Sequence, residues 1–152
     1  MNEAYKTGRI EALLEKPHHV IDLLPRQVPP QRAARFFAAE PYLLTGENGR
    51  RLREKMAAVL TKLGCYTTFL VCRDDEDEKD GLPDPAPELL AGWIRENRDT
   101  VNVLLPEEDA LIAVPDDSTC MTVYNADEAL LALLRELAYS EGLFLWKPEQ
   151  SE

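Results

Sequence analysis

Three short β-patterned segments in the second half of the chain constrain its fold most strongly. They cover residues 101–105, 110–114 and 120–124, and only four and five residues separate them. Both connections begin with proline and continue with polar, turn-forming residues. Short connections of this composition predict an antiparallel meander.

The clearest helical pattern lies at residues 50–63. Apolar residues recur there at a spacing of three or four, and Gly64 follows as a C-terminal stop. This spacing predicts a helix with one core-facing stripe. The stripe consists of Leu52, Met56, Val59, Leu60 and Leu63.

Other helices are predicted at residues 3–16, at 33–44, after Pro85 and after Asn125. Asp84 and Asn125 are the expected N-terminal caps of the last two. Proline interrupts the segment 33–44, so we expect only a short helix there. Its larger apolar residues are expected in the core: Phe36, Phe37, Tyr42 and Leu43.

Strands are predicted at residues 19–24, 65–72 and 143–146. The segment 65–72 is apolar on both alternations, which is typical of a strand covered on two faces. Because a meander is mixed with helices, we predict an α+β fold with a mixed, mainly antiparallel sheet of five to six strands and about four helices. We expect one layered domain over residues 1–152, with an exposed acidic loop at 73–85 and a flexible tail at 148–152.

The net charge of −11 is distributed unevenly. Residues 1–73 carry 12 Lys and Arg against 7 Asp and Glu, whereas residues 74–152 carry 5 against 21. Nucleic-acid affinity comes mainly from cations that neutralise phosphates, and a net negative charge opposes it, so we expect no nucleic-acid partner. The start of the sequence lacks the pattern of a secretory signal and no stretch is long and apolar enough for a membrane span, so we expect a cytoplasmic protein without a membrane partner.

No metal, redox or cofactor motif passes a geometric check. His18 and His19 are adjacent, so on a strand they would point to opposite faces. Cys65 and Cys72 would lie about 23 Å apart on one strand, too far for a disulfide, and with Cys120 they are expected as reduced core residues. The acidic run 74–81 resembles a calcium loop, but Pro87 would occupy the position that needs a bidentate glutamate.

No catalytic motif is present in the sequence either. The three serines lie outside any nucleophile-elbow pattern, and no phosphate-cradling glycine motif occurs. We therefore assign no catalytic residue and no cofactor, and lean toward a protein that is not an enzyme.

Four cations crowd the start of the helix predicted at 50–63: Arg50, Arg51, Arg53 and Lys55. The helix macrodipole favours negative charge at this position. Carboxylates of the acidic second half could neutralise the arginines. Alternatively, Arg50, Arg51 and Arg53 bind a phosphate or an acidic partner, together with further arginines of the preceding segment. Those further residues are Arg26, Arg32 and Arg35.

The charge distribution leads to two hypotheses on function. The first is a non-enzymatic interaction or regulatory domain that presents an acidic surface, with Asp75, Glu76, Asp77 and Glu78, to a basic protein partner. Small acidic α+β domains are common among bacterial immunity proteins and antitoxins, which is an analogy at the level of the fold. The alternative is a small-molecule or phosphate-binding protein, possibly an enzyme, built around the arginine cluster.

Four phrases of the sequence are shared with a known family. They are residues 20–29 (VIDLLPxQVP), 62–66 (KLxCY), 121–125 (MTVYN) and 140–148 (SEGLFxWKP). With these phrases the chain resembles an uncharacterised family of small cytoplasmic proteins from anaerobic Firmicutes. The resemblance implies one domain and a bacterial cytoplasmic setting, and it brings no known activity, ligand or catalytic residue.

Overall fold

The structure, a computed structural model, describes residues 8–74, 76, 78–96, 98–116 and 120–148. Two short 3-10 turns, Pro30–Arg32 and Glu78–Asp80, accompany the regular elements. The helices are α1 (Arg9–Leu13), α2 (Ala33–Leu44), α3 (Gly46–Leu63), α4 (Pro87–Glu96) and α5 (Glu128–Ser140). The strands are β1 (His18–Asp22), β2 (Leu70–Arg73), β3 (Leu82–Pro83), β4 (Val101–Leu105), β5 (Ala110–Val114), β6 (Cys120–Tyr124) and β7 (Phe144–Trp146).

The strands form one antiparallel sheet in the order β3-β2-β4-β5-β6-β1-β7. The predicted meander is confirmed as β4-β5-β6, with Val103 opposite Ile112 and Ile112 opposite Val123. The α+β class is confirmed as well, with seven strands and five helices, slightly more than expected. Every strand pair among the described residues is antiparallel, so the sheet is not mixed.

The main core lies between one face of the sheet and the helices α3, α4 and α5. The predicted stripe of α3 is buried there in full, from Leu52 to Leu63. The opposite face of the sheet has a smaller cluster, in which Ile10 and Leu13 of α1 pack with Leu104 and Leu111. Strands β4 and β5 are buried at every position because the sheet is covered on both faces there.

The strand predicted at 65–72 begins only at Leu70. Backbone hydrogen bonds from Cys65 to Lys62 (3.0 Å) and from Tyr66 to Leu63 (2.9 Å) extend the end of α3 into this segment. Cys65 is consequently exposed, so its expected core position was wrong. Cys72 is buried and Cys120 is partly buried.

The segment 73–85 is more ordered than the exposed loop that its composition predicts. It contains the 3-10 turn Glu78–Asp80 and the edge strand β3, which pairs with β2. Asp84 does not cap α4, since its Oδ1 accepts a hydrogen bond of 2.9 Å from the backbone N–H of Phe69. Helix α4 begins two residues after Pro85, the expected start.

Two further helix boundaries differ from the sequence prediction. Asp127, not Asn125, caps α5, and its Oδ1 accepts a hydrogen bond from the N–H of Leu130 (2.9 Å). Asn125 has a positive φ of 63° and belongs to the turn before the helix. Helix α2 continues through Pro41 to a length of 12 residues.

Parts of two predicted segments lie outside the described residues. They are residues 3–7 of the first helix and 149–152 of the tail. Among the described residues, no helix combines the length and the apolarity needed to cross a bilayer.

Candidate functional site

Helix α2 is apolar along most of its length, yet none of its 12 residues is buried. The side chain of Phe37 is 67% exposed and that of Tyr42 is 75% exposed. A helix of a soluble domain normally buries at least one apolar stripe. The expectation that Phe36, Phe37, Tyr42 and Leu43 belong to the core was wrong. The unburied face is therefore a candidate binding surface.

An open groove of about 320 Å³ lies between α2, the segment that begins at the end of β1, and Trp146 of β7. Its wall is mainly apolar and includes Leu23, Leu24, Phe36, Phe37 and Trp146. The indole Nε1 of Trp146 donates a hydrogen bond of 3.0 Å to the carbonyl of Leu24, which holds the ring at the groove wall. We call this the α2 groove.

Asp22 and Arg26 are the charged residues of the α2 groove within the described chain. The Oδ1 atom of Asp22 accepts a hydrogen bond of 2.6 Å from the N–H of Leu23. Burial desolvates this carboxyl and raises its pKa above the usual value. The carboxyl is therefore easier to protonate than an exposed aspartate.

A second cavity, of about 190 Å³, lies between α2 and the start of α3. Its wall includes Tyr42, Asn48, Arg51 and Lys55. Because it shares Leu23 and Leu43 with the α2 groove, the two openings are neighbours. We call it the cationic cavity.

The predicted arginine cluster does not form one site. Arg50 pairs with Glu47 and with Glu54 (3.1 Å), both on its own helix. The hydrogen bond and the charge of Arg50 lower the pKa of Glu47. Arg53 instead donates from Nε to the carbonyl oxygen of Arg95 at the end of α4, at 3.2 Å. Neither residue lines the cationic cavity.

The conflict between these cations and the helix dipole is smaller than the sequence suggested. Helix α3 begins at Gly46, so Glu47 occupies its first turn and Arg50 comes after that turn. The dipole effect fades beyond the first turn. The neutralising acids belong to α3, not to the second half of the chain.

Arg51 and Lys55 remain as the charged residues that face the cationic cavity. The Nη1 of Arg51 donates a hydrogen bond of 3.3 Å to the side-chain oxygen of Asn48. Within the described residues, neither Arg51 nor Lys55 has an ion pair. The cavity therefore presents two positive charges without a direct ion pair, and Glu47, which is paired with Arg50, acts on Arg51 only through the weaker charge interaction between them.

Three more arginines lie between β1 and the first turn of α2. Arg26, Arg32 and Arg35 are exposed, and none pairs with a carboxylate of another described residue. No acidic residue occurs from Leu23 to Ala39. Arg26 lines the α2 groove, so the groove has a positive charge on this side, and the exposed Arg32 and Arg35 belong to the same acid-free segment.

The structure describes two of the four acidic residues that were predicted to bind a partner, Glu76 and Glu78. Glu76 is exposed, and its Oε1 accepts a hydrogen bond of 2.8 Å from the N–H of Arg73. Glu78 is only 2% exposed, so the expectation of a solvated acid was wrong there. Its carboxylate binds the backbone of α1. Asp75 and Asp77 lie outside the described residues.

The two histidines occupy successive positions of β1, which begins one residue before the predicted strand. The ring of His18 lies 5.5 Å from that of Tyr124, centroid to centroid. Burial lowers the pKa of His19, with additional contributions from the charges of Lys147, Arg135 and His18. Among the described residues, no three His, Cys, Asp or Glu side chains come close enough together to hold a metal ion.

The α2 groove was missed at the sequence level, although its signal is visible. Residues 33–44 (AARFFAAEPYLL) are apolar around most of the helix, whereas the helix 50–63 is apolar along one stripe only. A helix that is apolar on all sides is normally buried. The segment was therefore expected in the core, whereas none of the residues of α2 is buried in the structure.

Comparison with known proteins gives no further assignment. The chain matches no protein-family model, no curated protein and no solved structure. The resemblance to a family of anaerobic Firmicutes stays a prediction. Function is therefore inferred from the α2 groove and the cationic cavity.

Proposed function

We propose that this chain is a non-enzymatic protein-interaction domain that binds a segment of a partner protein in the α2 groove. The observation that supports this proposal is the apolar helix α2, of which no residue is buried. Contiguous exposed apolar surface on a soluble domain is typical of an interaction site. The proposal keeps the interaction role expected from the sequence but moves it from the acidic loop to α2.

The size of the groove suits a peptide better than a large flat interface. A volume of about 320 Å³ is at the lower end of the range for ligand pockets and accommodates one or two bulky side chains. Burial of a large apolar side chain contributes about 1.5–3 kcal/mol. A few such anchors dominate the binding energy of most interfaces. The expected partner segment therefore has at least one bulky apolar anchor.

Selection from a library of random peptides of about 12 residues, displayed on phage, tests this proposal. The wild-type protein should enrich peptides with bulky apolar residues. Phe37→Glu should abolish their binding, because it places a charge where the anchor is desolvated. Tyr66→Glu is the matched control, since Tyr66 has the same 67% exposure but lies outside the groove lining.

Two results would contradict the proposal. One is the absence of any enriched peptide although the wild-type protein is folded. The other is equal binding of the enriched peptides to the wild-type protein and to a folded Phe37→Glu variant. Circular dichroism and thermal unfolding of each variant establish that it is folded.

A small-anion-binding protein is the second candidate. It is favoured by the cationic cavity, in which Arg51 and Lys55 have no ion pair with another described residue. Titration with inorganic phosphate, followed by calorimetry, tests it. Binding that disappears in Arg51→Gln would support this candidate, and no heat of binding would remove it.

A further inference from the structure

We infer that the partner segment is acidic, with a carboxylate near its apolar anchor in the sequence that binds Arg51 and Lys55 in the cationic cavity. This inference rests on the proposed interaction function and specifies the chemistry of the partner. It also reverses the expectation of a basic partner that the net charge suggested.

The two openings are close enough for one short segment to occupy both. Leu23 and Leu43 line the α2 groove and the cationic cavity alike. A segment with its anchor in the groove therefore places its next residues over this pair of leucines. The group that follows reaches Arg51 and Lys55.

The charge of the cavity selects an anion. Glu47 and Glu54, the nearby acids of α3, are both paired with Arg50. Arg51 and Lys55 have no such partner among the described residues. A guanidinium and an ammonium bind a carboxylate through charge-assisted hydrogen bonds, whereas a basic side chain would be repelled.

The overall charge of −11 does not overrule this local preference. Charges separated by more than about 8 Å are largely screened at physiological ionic strength. The charges that a bound segment meets are those of the two openings, where Arg26 adds to the positive charge of Arg51 and Lys55. A basic partner could still approach the acidic second half, but not this site.

Asp22 determines the orientation of the segment. It lines the α2 groove but not the cationic cavity. An acidic group next to Asp22 would be repelled, whereas an apolar anchor beside Trp146 would not. The anchor therefore occupies the end near Asp22 and Trp146, and the acid occupies the end near Arg51.

The test repeats the peptide selection with substituted proteins. The wild-type protein should enrich peptides in which Asp or Glu lies close to a bulky apolar residue, on either side of it in the sequence. The double variant Arg51→Gln/Lys55→Gln should enrich peptides with apolar anchors and without this acidic preference. Arg50→Gln is the matched control, because it removes a positive charge from the same helix outside the cavity.

The contribution of the acidic side chains to the affinity is then measured with synthetic versions of the best-enriched peptide. Replacing its Asp and Glu residues by Asn and Gln should weaken binding to the wild-type protein at least about tenfold, because the charge-assisted hydrogen bonds to Arg51 and Lys55 are lost. The same replacement should change binding to the double variant less than about twofold, as expected when the interaction is absent.

The outcomes that would contradict the inference distinguish a failure of the acidic segment from a failure of the proposed interaction function. Enriched peptides without acidic preference would overturn the present inference and leave the interaction function intact. No enriched peptide at all would overturn both. Binding of inorganic phosphate or dodecanoate without any peptide enrichment would assign the site to a small anion or a fatty acid, and would also overturn both.

Discussion

The carboxylate of Glu78 accepts a hydrogen bond of 2.5 Å from the backbone N–H of Ile10, 68 positions earlier in the sequence. Its second oxygen accepts one from the N–H of Gly8 at 3.2 Å. Glu78 thus binds two of the N–H groups at the start of α1 that have no partner within the helix. Helix α1 packs on the sheet face that carries the smaller apolar cluster. The two hydrogen bonds of Glu78 therefore help to hold α1 on that face.

Replacement of Glu78 by glutamine should lower the free energy of unfolding by about 1–3 kcal/mol. The amide keeps one acceptor oxygen but turns an NH₂ group toward a backbone N–H donor. Urea unfolding gives the measurement. The control Glu136→Gln, at an exposed position of α5, should change stability by less than about 0.5 kcal/mol. Equal effects of both substitutions would contradict the structural role of Glu78.

Asp22→Asn should raise the free energy of unfolding at about pH 7, and this gain should disappear at about pH 4. The raised pKa of Asp22 means that the folded chain retains a proton which the unfolded chain loses above its usual pKa of 3.8. The contribution of Asp22 to stability is therefore full below that value and is lost as the pH rises through the raised pKa. Asparagine cannot ionise, and its side-chain oxygen can still accept from the N–H of Leu23.

Urea unfolding of wild-type and Asp22→Asn protein between about pH 7 and about pH 4 checks this prediction. The difference in free energy of unfolding between the Asp22→Asn and the wild-type protein should become smaller as the pH falls. A gap that stays constant over this range would show that the carboxyl of Asp22 is not destabilised by burial.

Gly49→Ala should disturb the junction between α2 and α3. A Cβ at this position would overlap the carbonyl oxygen of Leu44 and lie 2.8 Å from its carbonyl carbon. Because backbone must move to relieve this overlap, we expect a loss of about 1–3 kcal/mol. Peptide binding in the α2 groove should weaken as well, since α2 forms one of its walls.

Gly92→Ala is the matched control for this substitution. Gly92 lies inside α4 and a Cβ there would meet nothing within 4 Å. Alanine is favoured over glycine in a helix by about 0.5–1 kcal/mol, so this variant should be stabilised. If thermal unfolding showed the same change for both variants, the close approach at Gly49 would be refuted.

Asp127→Ala should cost about 0.5–2 kcal/mol, because the N–H of Leu130 loses its capping acceptor. Asp127→Asn keeps a side-chain oxygen and should be close to neutral, since asparagine caps as well as aspartate does. Chemical denaturation of the two variants distinguishes the cap from a general effect of the charge. A similar loss in both would assign the effect to the charge.

Local patterns in the sequence were sufficient for most of the fold. The stripe of α3 and the turns of the meander depend on neighbouring residues, and both were predicted correctly. The α5 cap was misplaced by two residues because Asn125 and Asp127 both have suitable side chains. Only the backbone at Asn125, with a positive φ of 63°, shows that it belongs to the turn.

The candidate site was only partly visible in the sequence. Arg51 was among the predicted anion-binding residues, but its neighbours Arg50 and Arg53 could not be separated from it by composition. Their roles depend on which carboxylate or carbonyl lies within reach, and for Arg53 that group is 42 positions away, on Arg95. The apolar residues of α2 were recognised but placed in the core.

By itself, the sequence determined the α+β class, the antiparallel meander and the apolar stripe of α3. These follow from periodicity and turn chemistry, which act between residues close along the chain. Only the tertiary structure decided that Glu78 is buried and that Phe37 is exposed. The same side chain can be solvated or buried depending on what packs beside it, and those neighbours come from distant parts of the chain.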